Sequence, residues 1–117
     1  MRKALLNDVE FIHHLRYSPD VRKISCSKNI VSLKEFRKYF INHYKEYKII
    51  GNNIGFIRKD KDNFISIVLL KKYRNRGIGR KLVSNLRGRA IILLNNFRSF
   101  NCFIKANWKL KGWYLEK

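Results

Sequence analysis

The chain has 117 residues, 45% apolar and 14% aromatic, with 27 Lys or Arg against 8 Asp or Glu and a net charge of +19. That length bounds a single domain, 1–117, with a modest core, and the scattered Cys26, Cys102, His13, His14 and His43 exclude a disulfide framework and a metal centre. After Met1-Arg-Lys only Ala4-Leu-Leu precedes Asn7-Asp-Val-Glu10, too little for a leader or a membrane span, so a cytoplasmic protein with free thiols is expected.

Asn7-x-x-Glu10 reads as a capping pair for a helix over roughly 8–16, with Val9, Ile12 and Leu15 turned inward. Tyr17-Ser-Pro-Asp20 breaks it, and residues 21–31 read as irregular and basic. Ser32-x-x-Glu35 is a capping box, with Val31 and Phe36 as its hydrophobic staple. Leu33, Phe36, Phe40, Tyr44 and Tyr47 then follow at helical spacing, a stripe that belongs to a core. Strands are predicted at Tyr47–Ile50 and Ile54–Arg58 around a Gly51-Asn-Asn turn. Phe64–Leu70 is rich enough in Ile, Val and Leu to be a central strand buried on both faces. A helix is predicted from Gly79 to Asn95, with Leu82, Leu86, Ala90, Leu93 and Leu94 inward and Arg87 and Arg89 outward. A strand at Phe100–Lys105 then runs parallel to 64–70 through a right-handed crossover. The order is α, α, β, β, β, α, β.

The loop between the Phe64–Leu70 strand and the following helix carries the chemistry. It reads Arg74-Asn-Arg-Gly77-Ile-Gly79-Arg-Lys81. Glycines admit backbone conformations closed to other residues and let a ligand approach the main chain. Successive amides at a helix start form an anion site, and Arg74, Arg76, Arg80 and Lys81 add charge. The reading is a diphosphate cradle. Neither G-x-G-x-x-G nor G-x-x-x-x-G-K-[ST] is present, which sets aside the dinucleotide and NTPase loops.

What the segment resembles is motif A of the GCN5-related N-acetyltransferases, the GNAT family, whose pattern is [R/Q]-x-x-G-x-[G/A] after an apolar strand. The resemblance implies an α/β (α+β) fold, a mixed sheet with helices on both faces and its C-terminal strands shortened here. It implies acetyl-CoA as co-substrate. Backbone groups of Val68 and Leu69 would pair with the pantetheine arm. The amides of Asn75, Arg76, Gly77, Ile78, Gly79, Arg80 and Lys81, with Arg74 opening the motif, would hold the diphosphate. Asn107 matches an Asn that follows the second parallel strand and lies near the pantetheine.

The first half is similar to the subgroup that acetylates amino groups on nucleotide-linked sugars, best known from pseudaminic-acid pathways. The resemblance rests on Arg16-Tyr-Ser-Pro-Asp-Val-Arg22-Lys, Val31-Ser-x-x-Glu35 and Asn53-Ile-Gly55-Phe-Ile-Arg58. It places the segment between the first two helices at an acceptor pocket, where Arg22, Lys23 and Lys28 would meet a nucleotide diphosphate; a solvated basic loop is the alternative. Two departures stand out. Phe36 replaces a His of the subgroup. The family's helix after the Asn, with a Tyr four residues before a Gly-Phe, is read as largely deleted before Gly112-Trp113. Tyr114 is the nearest phenol.

The Phe64–Leu70 strand has no Glu to act as base. Glu46, His13 or His43 could act through water, but each has an ordinary surface or capping reading, and no catalytic residue is assigned. The expected acceptor is a small-molecule amine, with no membrane partner. From Asn63 to Leu115 there are twelve Lys or Arg and no acid, a field that attracts polyanions. Nucleic-acid binding beyond that charge attraction is not expected. Alternatives are an acetyltransferase of a protein or ribosomal substrate, or a weakly active, nucleic-acid-binding remnant. Trp108, Trp113 and Tyr114 suggest a homodimer through the carboxyl end; the alternative is that the two Trp fold back over the preceding helix.

Overall fold

The computed structural model describes residues 1–25, 29–113, 115 and 117. Cys26, Lys28 and Tyr114 therefore lie outside the described residues. The elements in order are β1 (Arg2–Lys3), α1 (Val9–Arg16), α2 (Pro19–Lys23), α3 (Leu33–Ile41), β2 (Tyr47–Ile50), β3 (Gly55–Lys59), β4 (Ile65–Leu69), α4 (Ile78–Ser84) and α5 (Phe97–Lys105). Short 3₁₀ turns precede α1 and β2 and follow β4. The four strands lie side by side in chain order, all antiparallel. Among the described residues, no helix is long and apolar enough to cross a membrane.

The period-two alternation of the strands sorts their side chains onto two faces. Tyr47, Ile49, Phe56 and Val68 meet α1 and α3, through Val9, Ile12, Leu15, Phe36 and Phe40. Ile50, Ile57, Ile65, Ile67 and Leu69 meet Ile78 and Leu82 of α4 and the indole of Trp108. Phe103 of α5 and Ala106 just past its end close over the fully buried Val83. Burying each such aliphatic or aromatic side chain contributes roughly 1.5–3 kcal/mol. Helices thus cover both faces, as the sequence implied.

The capping box of α3 forms, with the Ser32 hydroxyl accepting from the Glu35 amide at 3.2 Å. At α1 the sequence pointed to the wrong acid. Asp8, not the Asn7–Glu10 pair, organises this end. Its carboxylate takes both nitrogens of Arg2 at 2.8 Å and the Leu5 amide at 2.7 Å. This fastens β1, a strand the sequence reading did not predict, to the start of α1. α2 was also unexpected; Ser18 in extended conformation and Pro19 at the first helical position start it.

Three further expectations are corrected. The helix after the glycine loop stops at Ser84 rather than Asn95. The Ser84 hydroxyl and Asn85 amide bond back to the carbonyls of Arg80 and Lys81, a competition that ends helices. Val83 of this helix is the residue it buries completely, while Leu94, expected inward, is exposed. Second, Phe100–Lys105 is not a strand but part of α5. Asn96 caps it through the Ser99 amide, and Cys102, Phe103 and Ala106 face the core at helical spacing. The alternation of Phe100, Cys102 and Ile104 suggested a strand, yet Ile104 is the one β-branched residue among them. Third, β4 is not central. The chain after α4 meets it in one parallel bridge, Phe64 with Arg89, and then diverges.

With residues 100–105 helical, the strand edge that argued for self-pairing does not exist. Trp108 instead folds back, its indole nitrogen donating to the Val83 carbonyl at 2.9 Å and its ring standing edge-on to Phe103. Trp113 is exposed.

Two predictions follow from the packing. A Cβ on Gly55 would stand 2.2 Å from the Val68 carbonyl oxygen, so β3 can lie against β4 there only as glycine. Gly55→Ala is expected to cost about 1–3 kcal/mol in urea unfolding, the range of an overpacked core. The Arg2 guanidinium holds the Asp8 carboxyl below its ordinary value. A depressed carboxylate stabilises the fold above its unfolded pKa, about 4, and the contribution fades as pH falls through the folded value. The stability difference between the native chain and Asp8→Asn should therefore be largest near neutrality and shrink below about pH 4 in unfolding measured across pH.

Candidate functional site

In an antiparallel ladder, alternate residues turn their backbone groups to opposite sides. The Leu70 amide bonds the Ile54 carbonyl at 2.9 Å, whereas the Ile65 amide turns outward to the Arg89 carbonyl at 2.7 Å. By that alternation Val68 faces β3, where its register partner is Phe56. Ile65, Ile67 and Leu69 face the other side. The bridge satisfies Ile65. Past it the chain from Arg89 leaves β4, and the Ile67 and Leu69 groups line an open edge. Of the two residues expected to meet pantetheine, Leu69 is on that edge and Val68 is not; Ile67, overlooked in the sequence, is on it.

The glycine loop closes the upper end of this edge. Asn75 (φ 62°) and Gly77 (φ 78°) are both left-handed, and Gly77 caps α4. Such a φ is nearly free for glycine and tolerated by Asn. A Cβ on Gly77 would meet nothing within 4 Å, so the backbone there faces open space. Gly79 plays a different part: it faces α5, where a Cβ would make ordinary contact with the Cys102 sulfur at 3.4 Å. Burial pushes that Cys102 thiol above its ordinary pKa, and it is not an activated nucleophile.

Amides in a first helical turn have no intrahelical acceptor. The Lys81 amide bonds Gly77 at 3.0 Å and is used. Among the described residues, the amides from Asn75 to Arg80 have no protein acceptor. Arg76, Arg80 and Lys81 are exposed around them, and the Arg76 guanidinium lies 5.8 Å from the Tyr73 ring. Arg74 is committed elsewhere. Its Nε donates to the Leu69 carbonyl at 2.9 Å, and its Nη1 pairs with Asp20 of α2.

Beside this loop lies a pocket of about 340 Å³, between the α1–α2 corner and the end of β4. His14, Leu15, Ser18, Pro19, Asp20, Leu70, Lys71 and Arg74 line it. The Arg74 guanidinium keeps the Asp20 carboxyl below its ordinary pKa.

The candidate bases fall away from this place. Glu46 accepts from Arg58 at 2.8 and 3.0 Å and pairs with the His43 ring at 2.8 Å. That cluster sits by the row Tyr47, Arg58, Ser66, three residues down β4 from Leu69, about 10 Å away. His13 is held at 2.6 Å from the Val31 carbonyl. His14, one residue on, is the imidazole in the pocket.

Asn107 is also corrected. It follows α5, not a strand, in a left-handed conformation (φ 69°). The segment that starts parallel to β4 is Arg89–Leu93, and Asn95 and Asn96 follow it. A helix, α5, stands where the sequence suggested a strand. Asn107-Trp108 ends it, and the residue four before Asn107 is Phe103, buried against the Trp108 ring. The signal was the apolar run Ala90-Ile-Ile-Leu-Leu-Asn95-Asn96.

No family model and no curated protein matches the sequence. The crystal structure of an acetyltransferase of the GNAT family from Bacillus anthracis is similar in fold, with a TM-score of 0.73 at 20% identity. The similarity spans 95% of this chain and 80% of that one. The chain has the GNAT fold.

Proposed function

We propose that the chain is an acetyl-CoA-dependent N-acetyltransferase acting on the amine of a small acceptor, with an amino sugar carried on a nucleotide as the favoured class. One observation carries the reading: a row of unsatisfied amides, Asn75 to Arg80, at the head of an open strand edge. Such a row suits a diphosphate, and a bare strand edge suits the amides of a pantetheine arm. The groups present fit the cofactor. The loop amides, with Arg76, Arg80 and Lys81, would hold the phosphates; Ile67 and Leu69 would pair with the arm. When bound, acetyl-CoA supplies an acetyl group activated as a thioester.

The chain's own part is to bind, orient and stabilise charge. The outward Leu69 amide is the strand donor available to a carbonyl oxygen gaining negative charge. The pocket at the α1–α2 corner supports the acceptor assignment, since it opens beside Leu70 and Arg74. With Lys71 and Arg74 against Asp20 it is net positive, in a chain of net charge +19. An ammonium ion is repelled there unless it travels on an anionic carrier, which favours a nucleotide-linked amine. Phe103 has no hydroxyl, so α5 offers no phenol at that place to protonate a departing thiolate. Turnover is expected to be slow relative to binding.

Calorimetric titration should show acetyl-CoA binding that weakens with added salt, as a phosphate site lined by cations requires. Gly77→Asp should keep the native circular-dichroism spectrum and lose binding at least tenfold, because it sets a carboxylate beside the free amides. Thiol release on a nucleotide-linked amino sugar, and not on peptide amino termini, supports the acceptor class. Absence of acetyl-CoA binding at millimolar ligand and low salt would refute the proposal.

A further inference from the structure

Arg74 opens the glycine loop, and its guanidinium is taken by two partners outside that loop. One arm holds the Leu69 carbonyl at 2.9 Å, on the open edge of β4. The other holds Asp20, 54 residues earlier, on the wall of the pocket. The Arg74 side chain is 21% exposed, so the bond to Leu69 is sheltered while Asp20, at 45%, can exchange with water. α2 is five residues long, buries Val21 and is met at its other end by Asn95, whose side-chain amide donates to the Lys23 carbonyl at 3.5 Å. Its amino end is positioned by the Asp20–Arg74 pair.

We infer that Arg74 is a positioning residue that couples the pocket to the cofactor edge: Asp20 holds the guanidinium, and the guanidinium holds the Leu69 carbonyl and the first turn of the loop in the binding geometry. This rests on the acetyl-CoA reading above and adds the coupling. The physical logic is that of a two-point clamp. With Asp20 in place, the Arg74 side chain has one orientation, and Leu69, Arg74 and the backbone into Asn75 are fixed before a ligand arrives. Without it, the guanidinium is drawn to solvent and the loop must be ordered at the cost of binding. Coupling between two sites is reciprocal, so a ligand on the loop must also steady α2.

A different outcome is physically available. If Asp20 merely restrains a cation that would rather meet phosphate, its removal would free Arg74 and tighten binding. The two cases predict opposite signs. The test is acetyl-CoA titration of the native chain, Asp20→Ala, Arg74→Ala and the double variant, with thermal unfolding and hydrogen exchange alongside. The coupling predicts a loss of about fivefold for Asp20→Ala, a loss at least as large for Arg74→Ala, and no further loss in the double variant. The unfolding midpoint should change little, since exposed pairs contribute little to stability. Saturating acetyl-CoA should slow exchange of the α2 amides in the native chain and not in Asp20→Ala. Unchanged or tighter binding by Asp20→Ala, with the native chain binding normally, overturns the coupling alone. Failure of the native chain to bind overturns the cofactor reading and the coupling with it.

Discussion

The site depends on one constraint: a strand has two edges, and among the described residues the second edge of β4 is met only at its start, by the Phe64–Arg89 bridge. The antiparallel ladder with β3 consumes the backbone groups of alternate residues, and geometry sends the others outward. Arg89 answers Ile65, and then its chain turns away. A backbone amide left without a partner away from water costs about 1–3 kcal/mol, so such an edge persists only if water or a ligand reaches it. The divergence that weakens the sheet is what makes a slot.

The rest of the molecule keeps that slot open and frames it. α1 and α3 seal one face of the sheet with aromatic and aliphatic side chains, and α4 and α5 seal the other. One small residue sets a distance: Gly55 brings β3 hard against β4. Trp108 locks this second layer by bonding the Val83 carbonyl at the end of α4. Charge is then laid over the slot's upper end, where Arg76, Arg80 and Lys81 belong to a stretch, Asn63 to Leu115, that contains no acid.

Much of this was legible from local pattern. The glycine loop, the α3 capping box and the β2–β3 hairpin are written in residues within a few positions of one another. What was missed depends on partners far away in the chain. Asp8 finds Arg2 rather than a cap of its own helix, and Arg74 finds Asp20 rather than phosphate. The carboxyl half misled because Ala90–Leu94 is an apolar run that fits a helix or a buried strand equally well. Extending α4 through it pushed the next strand onto residues 100–105. With α5 there instead, Asn107 follows a helix, and Asn95 and Asn96 lie between the Arg89 bridge and that helix.

The central claim is that the outward groups of β4 and the loop amides form one continuous binding edge. Its most direct test is amide chemical-shift mapping by nuclear magnetic resonance during titration with coenzyme A. The account predicts the largest shifts in one connected track, Ile67, Leu69 and Asn75 through Arg80, with Val68 and the Glu46–Arg58 cluster unmoved. Shifts confined to scattered lysines, or centred on Val68 and β3, would contradict it.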